Sequence, residues 1–305
     1  MEFFSHKTTI DFMAQRNRAF LFSLLLLVFS VGTLSFKGLV LGMDFTGGVQ
    51  VEVNYPAPAD FNLIREQLAK AGLEDAVAQA HGSSKDVMIK LKSKKDLDQK
   101  QLTNKVLNAL TGATLLRVDD IGAQVGKELI TNGILAVIVA LLGTMIYIAL
   151  RFEYKFAISA AISLVHDPML IMGIFSFFGI EFDLIALAAV LTVIGYSLND
   201  TIVVYDRVRE NFRKVRKANA TEILNLSINQ TLSRTIMISG LTFSVILALY
   251  IFGGQVLHGF SLAMMIGIVI GTYSSIYIAG ALAILFGLER HHLMPAEKQV
   301  VDSMP

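Results

Sequence analysis

The sequence contains no cysteine and few charged residues, and both shortages exclude classes of protein. Without cysteine the chain can form no disulfide, thiol nucleophile or iron–sulfur site. Charged residues make up 17% of the chain, whereas a soluble globular protein carries roughly 25%. The formal net charge of +1 provides no overall attraction to nucleic acid, which is therefore not an expected partner. Because 54% of the residues are hydrophobic, the lipid bilayer is the first environment to consider.

Long apolar runs are what the sequence has in abundance. Six of them meet the requirement of about 20 mostly apolar residues for a membrane-spanning helix. The predicted spans are 19–36, 131–150, 156–178, 184–205, 235–252 and 261–288. The first run is longer than the apolar core of a signal peptide, and no convincing cleavage site follows it. We therefore interpret it as an uncleaved anchor.

Basic residues are unevenly distributed among the short connections, and this predicts the orientation. The connections at 151–155 and 206–234 contain Lys and Arg, whereas those at 179–183 and 253–259 contain neither. Lys and Arg accumulate on the cytoplasmic side of a membrane. We therefore expect a multi-pass protein with both termini in the cytoplasm. Its predicted cytoplasmic parts are the segment 1–18, the loop 206–234 and the tail 289–305.

The cytoplasmic loop 206–234 contains an amphipathic pattern. Thr221 can cap a short helix, and Leu224, Ile228 and Leu232 then fall on one face of it. An amphipathic helix outside the predicted spans is typical of a segment that lies on the bilayer surface. The sequence therefore predicts a surface helix here.

The segment 37–130 is the one large part predicted to lie outside. Alternating apolar and polar residues at 49–53 predict a strand, and Asp60 can cap a helix that ends near Gly72. The whole segment follows the order strand, helix, strand, strand, helix, strand, which is that of a ferredoxin-like domain. The predicted fold is thus an α-helical polytopic membrane protein with six transmembrane helices. One extracytoplasmic α+β domain separates the first helix from the second.

Asp44-Phe-Thr-Gly-Gly48 opens this domain. Paired glycines allow a tight turn or a close backbone approach, so Gly47 and Gly48 predict a turn into the first strand. A phosphate-binding loop would need a helix directly after it, whereas a strand is predicted there. We expect the motif, including Asp44, to act as a hinge between the first span and the outside domain.

Asp200 is the polar residue that fits its surroundings least. We place it roughly 7 Å inside the cytoplasmic edge of the hydrocarbon core. A charged aspartate at mid-membrane costs at least about 2.5–3.5 kcal/mol, so such groups usually face protein or water. Thr192, Tyr196 and Asn199 share its helix at helical spacing and are expected on the same interior face. Arg234 enters from the same side, so Asp200 is either a proton carrier or a member of a static ion pair.

His166-Asp167-Pro168 lies almost at the centre of the third predicted span. Pro168 lacks a backbone donor and leaves a carbonyl that His166 or water can satisfy. Two interpretations stay open for Asp167. It forms a neutral hydrogen-bonded pair with His166 that holds helices together, or it is a step in a proton relay.

The remaining polar residues predict packing rather than chemistry. Gly267 and Gly271, followed by Ser274 and Ser275, form a small-residue face for close helix contact. No His-Glu-x-x-His spacing or other metal cluster occurs, and no nucleophile is paired with a base. We therefore expect no catalytic residues and no metal site. An intramembrane protease using Asp167 and Asp200 is a distant alternative, because the Gly-x-Gly-Asp setting is absent.

Several long motifs, in matching order over nearly the whole chain, resemble the SecF family of the resistance–nodulation–division superfamily. The motifs are Asp44-Phe-Thr-Gly-Gly48, Val165-His-Asp167, Gly195-Tyr-Ser-Leu-Asn-Asp200, Asp206-Arg-Val-Arg-Glu-Asn211 and Gln230-Thr-Leu-Ser-Arg-Thr235. The resemblance implies a subunit of the bacterial inner membrane that pairs with SecD beside the SecYEG channel and the SecA motor. YajC and YidC are further candidate partners, and the translocating preprotein is the substrate.

The resemblance also implies an energy source and site residues. No cofactor is expected, because the proton gradient drives the family's work. Asp200 and Arg234 match residues associated with proton conduction, and Asp167 lies in a family motif. Two alternatives keep the fold: a proton-driven small-molecule exporter of the same superfamily and a non-conducting structural subunit. A carboxylate and an arginine without an oxygen cage favour protons over sodium.

Overall fold

The computed structural model describes residues 8–81, 83–92, 99–215 and 217–288. Short 3-10 turns lie at Met13–Gln15 and Gln255–Leu257. Along the chain, the elements are α1 (Arg16–Phe36), β1 (Val40–Leu41), α2 (Met43–Thr46), β2 (Gly48–Asn54), α3 (Phe61–Lys70), β3 (Val77–His81), β4 (Ser83–Lys92), α4 (Gln99–Ala109), β5 (Thr114–Ile121), α5 (Ala123–Arg151), α6 (Tyr154–Phe178), β6 (Glu181–Phe182), α7 (Leu184–Lys214), α8 (Ala220–Phe252), α9 (His258–Tyr273), a π-helical segment (Ser274–Ala279) and α10 (Gly280–Leu285). The predicted tail 289–305 lies outside the described residues.

Six helices are long and apolar enough to cross a membrane, as predicted. They are α1, α5, α6, α7, α8 and a sixth span in which α9, the π-helical segment and α10 follow one another. The spans α6, α7 and the sixth are the most enclosed, whereas α1, α5 and α8 expose most of their apolar surface. Apolar surface of this kind is stable in lipid or against another membrane protein.

The sheet domain, formed by β2–β5 with α3 and α4, has the predicted strand and helix order. Its sheet is antiparallel, with the strands in the order β3-β4-β2-β5. The alternation in β2 places Val49, Val51 and Val53 in the core. Asp60 caps α3 as predicted, accepting hydrogen bonds from the amides of Asn62 and Leu63.

Two short connections fasten the sheet domain to the spans. Strand β1, which follows α1, pairs in parallel with β6, which lies between α6 and α7. Lys90 of β4 forms an ion pair with Glu181 of β6 at 3.7 Å. At the start of α5, a Cβ on Gly126 would lie 2.5 Å from the carbonyl oxygen of Phe45, so only glycine allows this approach. The sheet domain and the segment that precedes it are therefore tied to the connection between α6 and α7 and to the start of α5.

Glycines also set the distance between neighbouring spans. A Cβ on Gly173 of α6 would lie 2.6 Å from the Cα of Ser30 on α1. One on Gly267 of α9 would lie 2.2 Å from the Val193 side chain of α7. Small residues let membrane helices approach in this way. The small-residue face of the sixth span therefore packs directly against α7.

The predicted surface helix in 206–234 is wrong. Helix α7 continues to Lys214, and α8 begins at Ala220 and runs unbroken to Phe252. Asn219, not Thr221, is the cap, and it forms a capping box with Glu222. Leu224, Ile228 and Leu232 are buried in the protein core. Their apolar stripe indicated burial correctly, but the partner is protein rather than the bilayer surface.

Candidate functional site

Asp200 is partly buried where α7 meets α8 and the π-helical segment. The Thr235 hydroxyl of α8 donates a hydrogen bond to Oδ1 at 2.6 Å. The Ser275 hydroxyl of the π-helical segment donates to Oδ2. Polar groups at membrane depth need partners within the protein, because lipid offers none. The carboxyl group of Asp200 thus links three spans.

The predicted ion pair between Asp200 and Arg234 is wrong for this structure. Arg234 is exposed and forms no ion pair with any residue that the structure describes. It directly precedes Thr235, and one residue turns the side-chain direction by about 100° on a helix. Because Thr235 faces Asp200, Arg234 faces away from it. Its charge therefore lies on the outer surface of the bundle.

A second set of hydroxyls lies one helical turn from Asp200, towards the sheet domain. The Tyr196 hydroxyl donates to Ser239 at 3.0 Å, and the hydroxyls of Ser239 and Thr272 are 2.8 Å apart. Each lies three or four residues along its helix from a member of the Asp200 set, so the same three spans supply both. Tyr196 therefore has the inward position predicted for it.

Thr192 and Asn199 do not lie on the interior face as predicted. Both are exposed on α7, whereas Ser197 and Thr201 are its buried polar residues beside Asp200. Helix α7 carries polar residues on two faces, and spacing alone does not say which face is inward. In this single chain the face with Thr192 and Asn199 points outward.

His166 and Asp167 form a buried network that joins four spans. Their exposed fractions are 3% and 0%. His166 Nδ1 lies 2.8 Å from Asp167 Oδ1, which confirms the predicted contact. Asp167 Oδ2 accepts hydrogen bonds from Ser197 of α7 and, at 2.8 Å, from Ser274 of the π-helical segment. His166 Nε2 is hydrogen-bonded to Ser23 of α1.

The motif at Asp44, Gly47 and Gly48 connects the sheet domain to α7. The predicted turn is formed by the short helix α2, which Gly47 ends at a φ of +73°. Asp44 Oδ2 accepts a hydrogen bond at 3.1 Å from the amide of Leu184, the first residue of α7. The motif therefore touches the same helix that carries Asp200. Its role as a hinge stays a prediction.

Asp183 lies beside this motif in a polar pocket of about 400 Å³ between the sheet domain and the spans. Its side chain accepts a hydrogen bond at 2.7 Å from the Ala186 amide and so caps α7. Burial raises the pKa of Asp183, and the nearby Asp44 carboxylate raises it further, although the Ala186 amide acts the other way. The folded protein therefore holds a proton on Asp183 more firmly than the unfolded chain does.

We expect Asp183→Asn to remove a pH dependence from this junction. For a carboxyl whose pKa is raised on folding, the stabilisation is complete below the unfolded pKa, about 4, and is lost as the pH rises through the folded value. Asparagine can still cap the helix. Hydrogen exchange at the first amides of α7 should therefore slow on acidification in the wild type more than in Asp183→Asn. Identical pH profiles of the two proteins would contradict this.

The polar groups around the two carboxyl groups are mostly hydroxyls. Among the residues in the described ranges, no three histidine, aspartate or glutamate side chains are grouped closely enough to hold a metal ion. Asp200 and Asp167 are instead surrounded by hydroxyl groups. Carboxyl and hydroxyl groups can pass protons along hydrogen bonds, and intramembrane carboxyl groups mark such pathways.

Sequence reasoning missed the hydroxyl residues that hold the two carboxyl groups. The sequence predicts Ser274 and Ser275 only as part of a packing face, and Thr235 only as the first residue of the fifth span and the last of a family motif. One signal was available: two adjacent serines in an apolar run present hydroxyls to two neighbouring helices. Hydroxyl side chains form hydrogen bonds between helices in membranes, so an adjacent serine pair in an apolar run indicates a candidate site in the same way that a charged residue does.

Comparison with known proteins agrees with the motifs. A family model described as "Protein export membrane protein SecD/SecF, C-terminal" matches residues 101–289, and a second, "SecD/SecF GG Motif", matches residues 32–55. The second match contains Asp44, Gly47 and Gly48. The first contains Asp167, Asp200 and their hydroxyl partners on α7, α8 and the sixth span.

Whole-chain relatives lead to the same family. The protein translocase subunit SecF of Pseudomonas aeruginosa is 48% identical, with 97% of this chain and 98% of the relative covered. That of Vibrio alginolyticus is 45% identical, with 97% of each covered.

A solved structure matches as well. The crystal structure of SecDF, a translocon-associated membrane protein from Thermus thermophilus, superimposes with a TM-score of 0.79 at 35% identity. The match covers 92% of this chain but spans only 39% of that SecDF chain. Over half of the chain lies within one family model, and the two named relatives match 97% of it. The chain therefore belongs to the SecF family of protein-export membrane proteins.

Proposed function

We propose that this chain works with a SecD partner to promote preprotein export, using the proton gradient across the bacterial inner membrane. Its relatives are named as protein translocase subunits, and the SecDF structure is named as translocon-associated. SecD would supply most of the SecDF length that this chain lacks. SecYEG and SecA, with YajC and YidC, would be the further partners. The termini would then be cytoplasmic and the sheet domain outside.

The single observation that carries the proton part of this proposal is the setting of Asp200. Its carboxyl group lies inside the bundle and accepts hydrogen bonds from two other spans. An ionisable group in this position costs free energy, and such groups mark ion and proton pathways in membrane proteins. The hydroxyls of Tyr196, Ser239 and Thr272 supply a polar approach from the sheet-domain side. Asp200 is therefore the residue that would bind the proton during its passage.

Protonation of Asp200 would change how three spans are held. A carboxylate accepts from both Thr235 and Ser275, whereas a neutral carboxyl group must itself donate one hydrogen bond. One of the two hydroxyls must then turn and accept from the carboxyl O–H, so that contact changes its geometry and α7 can shift against α8 or the sixth span. Because the α7 amide of Leu184 is hydrogen-bonded to Asp44, such a shift reaches the sheet domain. Each proton would supply about 2.3 kcal/mol per 100 mV.

The test is gradient-driven export in inverted membrane vesicles that contain this chain, SecD and the export channel. A preprotein is arrested partway, and a proton gradient is imposed without further ATP hydrolysis. We expect Asp200→Asn to reduce gradient-driven completion at least about tenfold, because 2.3 kcal/mol exceeds the roughly 1.4 kcal/mol that a tenfold change requires. Completion of ATP-driven export should change much less.

Asp119→Asn is the matched control for this test. Asp119 is a half-exposed carboxylate of the sheet domain that pairs with Arg117, so its variant removes the same charge outside the membrane. It should complete export as the wild type does. If Asp200→Asn also completes export normally, Asp200 does not couple proton movement to export, and the scaffold alternative becomes the leading interpretation. If the gradient has no effect on preproteins in any vesicle, the exporter of small molecules gains support instead.

A further inference from the structure

We infer that Ser274 and Ser275 join Asp167 and Asp200 into one coupled unit, so that the protonation of Asp200 depends on a residue that it does not contact. The inference rests on the proposed function and adds positioning residues to it. Its physical basis is that two adjacent residues of the π-helical segment each hold one of the two buried carboxyl groups.

The two serines face different helices. Ser274 donates to Asp167 of α6 at 2.8 Å, and Ser275 donates to Asp200 of α7. Both serines have an exposed fraction of 0%. Because neighbouring helical residues differ in direction by about 100°, one peptide unit can reach two neighbouring spans. Any rotation of this segment that lengthens one serine contact must therefore change the other.

The local helix geometry distinguishes this segment from the rest of its span. The serines open a π-helical segment, Ser274–Ala279, inside an otherwise α-helical span. π-Helical turns are rare and are found frequently at functional sites. The far end of the segment is also held by α7, because the Tyr205 hydroxyl donates to the Ala279 carbonyl at 3.0 Å. The segment is thus fixed at both ends by side chains rather than by regular backbone hydrogen bonds alone.

The network continues from Asp167 to the first span. His166 links Asp167 to Ser23 of α1. Helix α1 leads through β1 to the motif at Asp44 and the sheet domain. Asp200 therefore has two connections to the sheet domain, one along α7 and one through the serines, Asp167 and α1. Coupling through such a network is demonstrated when a change at one end alters a property measured at the other.

Few other ionisable groups lie near the two carboxyl groups. Described ionisable residues on the same spans include His166 on α6, Tyr196 and Tyr205 on α7, Arg234 on α8, and Tyr273 and Tyr277 on the sixth span. Tyr273 donates to a backbone carbonyl of α1, and Arg234 is exposed. Ser274 and Ser275 are adjacent in the chain, so one peptide unit joins the side chains that hold Asp167 and Asp200. Ser197, three residues before Asp200 on α7, is a further contact of Asp167.

The experiment measures the protonation of Asp200 directly. The full chain with its SecD partner is reconstituted in liposomes and treated with dicyclohexylcarbodiimide, which reacts with protonated carboxyl groups, at a series of pH values. Mass spectrometry quantifies the adduct on Asp200. We expect Ser274→Ala to shift the labelling midpoint of Asp200 by about half a pH unit or more, the size expected for the loss of one hydrogen bond.

Three further variants make the result decisive. Ser275→Ala removes the direct contact and should shift the midpoint further. Ser274→Cys replaces the hydroxyl by a slightly larger thiol that donates only weakly, so it should shift the midpoint in the same direction as Ser274→Ala without leaving a cavity. Ser261→Ala is the matched control, because Ser261 is a buried serine of the same span whose hydroxyl has no partner among the described residues. It should leave the midpoint unchanged.

Two outcomes would overturn the inference. One is an Asp200 midpoint that stays at the wild-type value in both Ser274 variants. The other is the absence of labelling at Asp200 at every pH, because the unit would then take up no proton. Labelling requires neither a preprotein nor a gradient. Its result is therefore separate from the export test with Asp200→Asn, and either can fail without the other.

Discussion

Gly48→Ala should destabilise the sheet domain by about 3 kcal/mol or more. A Cβ on Gly48 would lie 2.2 Å from the carbonyl oxygen of Leu91 and 2.8 Å from the Met43 side chain. The first contact is with backbone on the neighbouring strand, so a rotamer change cannot relieve it. Gly48 also pairs with residues of both β4 and β5, because β2 lies inside the sheet. The clash therefore separates the central strand from its neighbour.

Hydrogen exchange in the assembled complex would measure this effect. Amides of β2 and β4 should exchange faster in Gly48→Ala than in the wild type, and the sheet domain should become sensitive to protease. Gly122→Ala is the matched control at the other end of the domain, because a Cβ there meets nothing within 4 Å. Unchanged protection of β2 in Gly48→Ala would show that the close approach to Leu91 can relax. In that case the paired glycines would not be needed for the fold.

Local signals in the sequence predicted most of the fold. Asp60 caps α3 and the alternation at 49–53 forms β2, because both depend on residues within a few positions of each other. The six spans are predicted from length and hydropathy, because the thickness and the apolar interior of a bilayer set both properties. The strand and helix order followed from the same short-range patterns. The sheet order β3-β4-β2-β5 depends on pairing between distant parts of the chain, and no local pattern predicts it.

The environment of a buried face could not be predicted in the same way. The stripe formed by Leu224, Ile228 and Leu232 indicates that one side of the helix avoids water, and both lipid and protein satisfy that condition. In the structure these three residues belong to α8, and their side chains pack inside the bundle. Thr192 and Asn199 show the converse, since polar residues at helical spacing also occur on the outward face of α7.

The partners of the two carboxyl groups depend on contacts between distant parts of the chain. Opposite charge favoured Arg234 as the partner of Asp200, but α8 presents Thr235 there instead. A hydroxyl donor holds a carboxylate without adding a second buried charge, whose desolvation a salt bridge must overcome. It also leaves the carboxyl group able to take up a proton without separating an ion pair. This difference fits a site that changes its protonation state.

Asp167→Ala should destabilise the bundle by about 2–4 kcal/mol. The carboxyl group is fully buried at the centre of α6 and is hydrogen-bonded to His166, Ser197 and Ser274. Its removal leaves three polar side chains without their shared partner, in surroundings where water is scarce. Asp167→Asn keeps the volume and one acceptor oxygen, so we expect it to lose about half as much. Thermal unfolding of the detergent-solubilised complex would measure both.

Ser163→Ala separates this effect from the loss of any polar atom in α6. Ser163 is buried on the same helix, one turn from Asp167, and its hydroxyl has no partner among the described residues. Its removal should change the unfolding temperature little, because no hydrogen bond is lost. If Asp167→Ala were as stable as Ser163→Ala, the network would contribute no stability. The interpretation of Asp167 as a residue that holds helices together would then be contradicted. Gradient-driven export by Asp167→Asn would be the next measurement, as for Asp200→Asn.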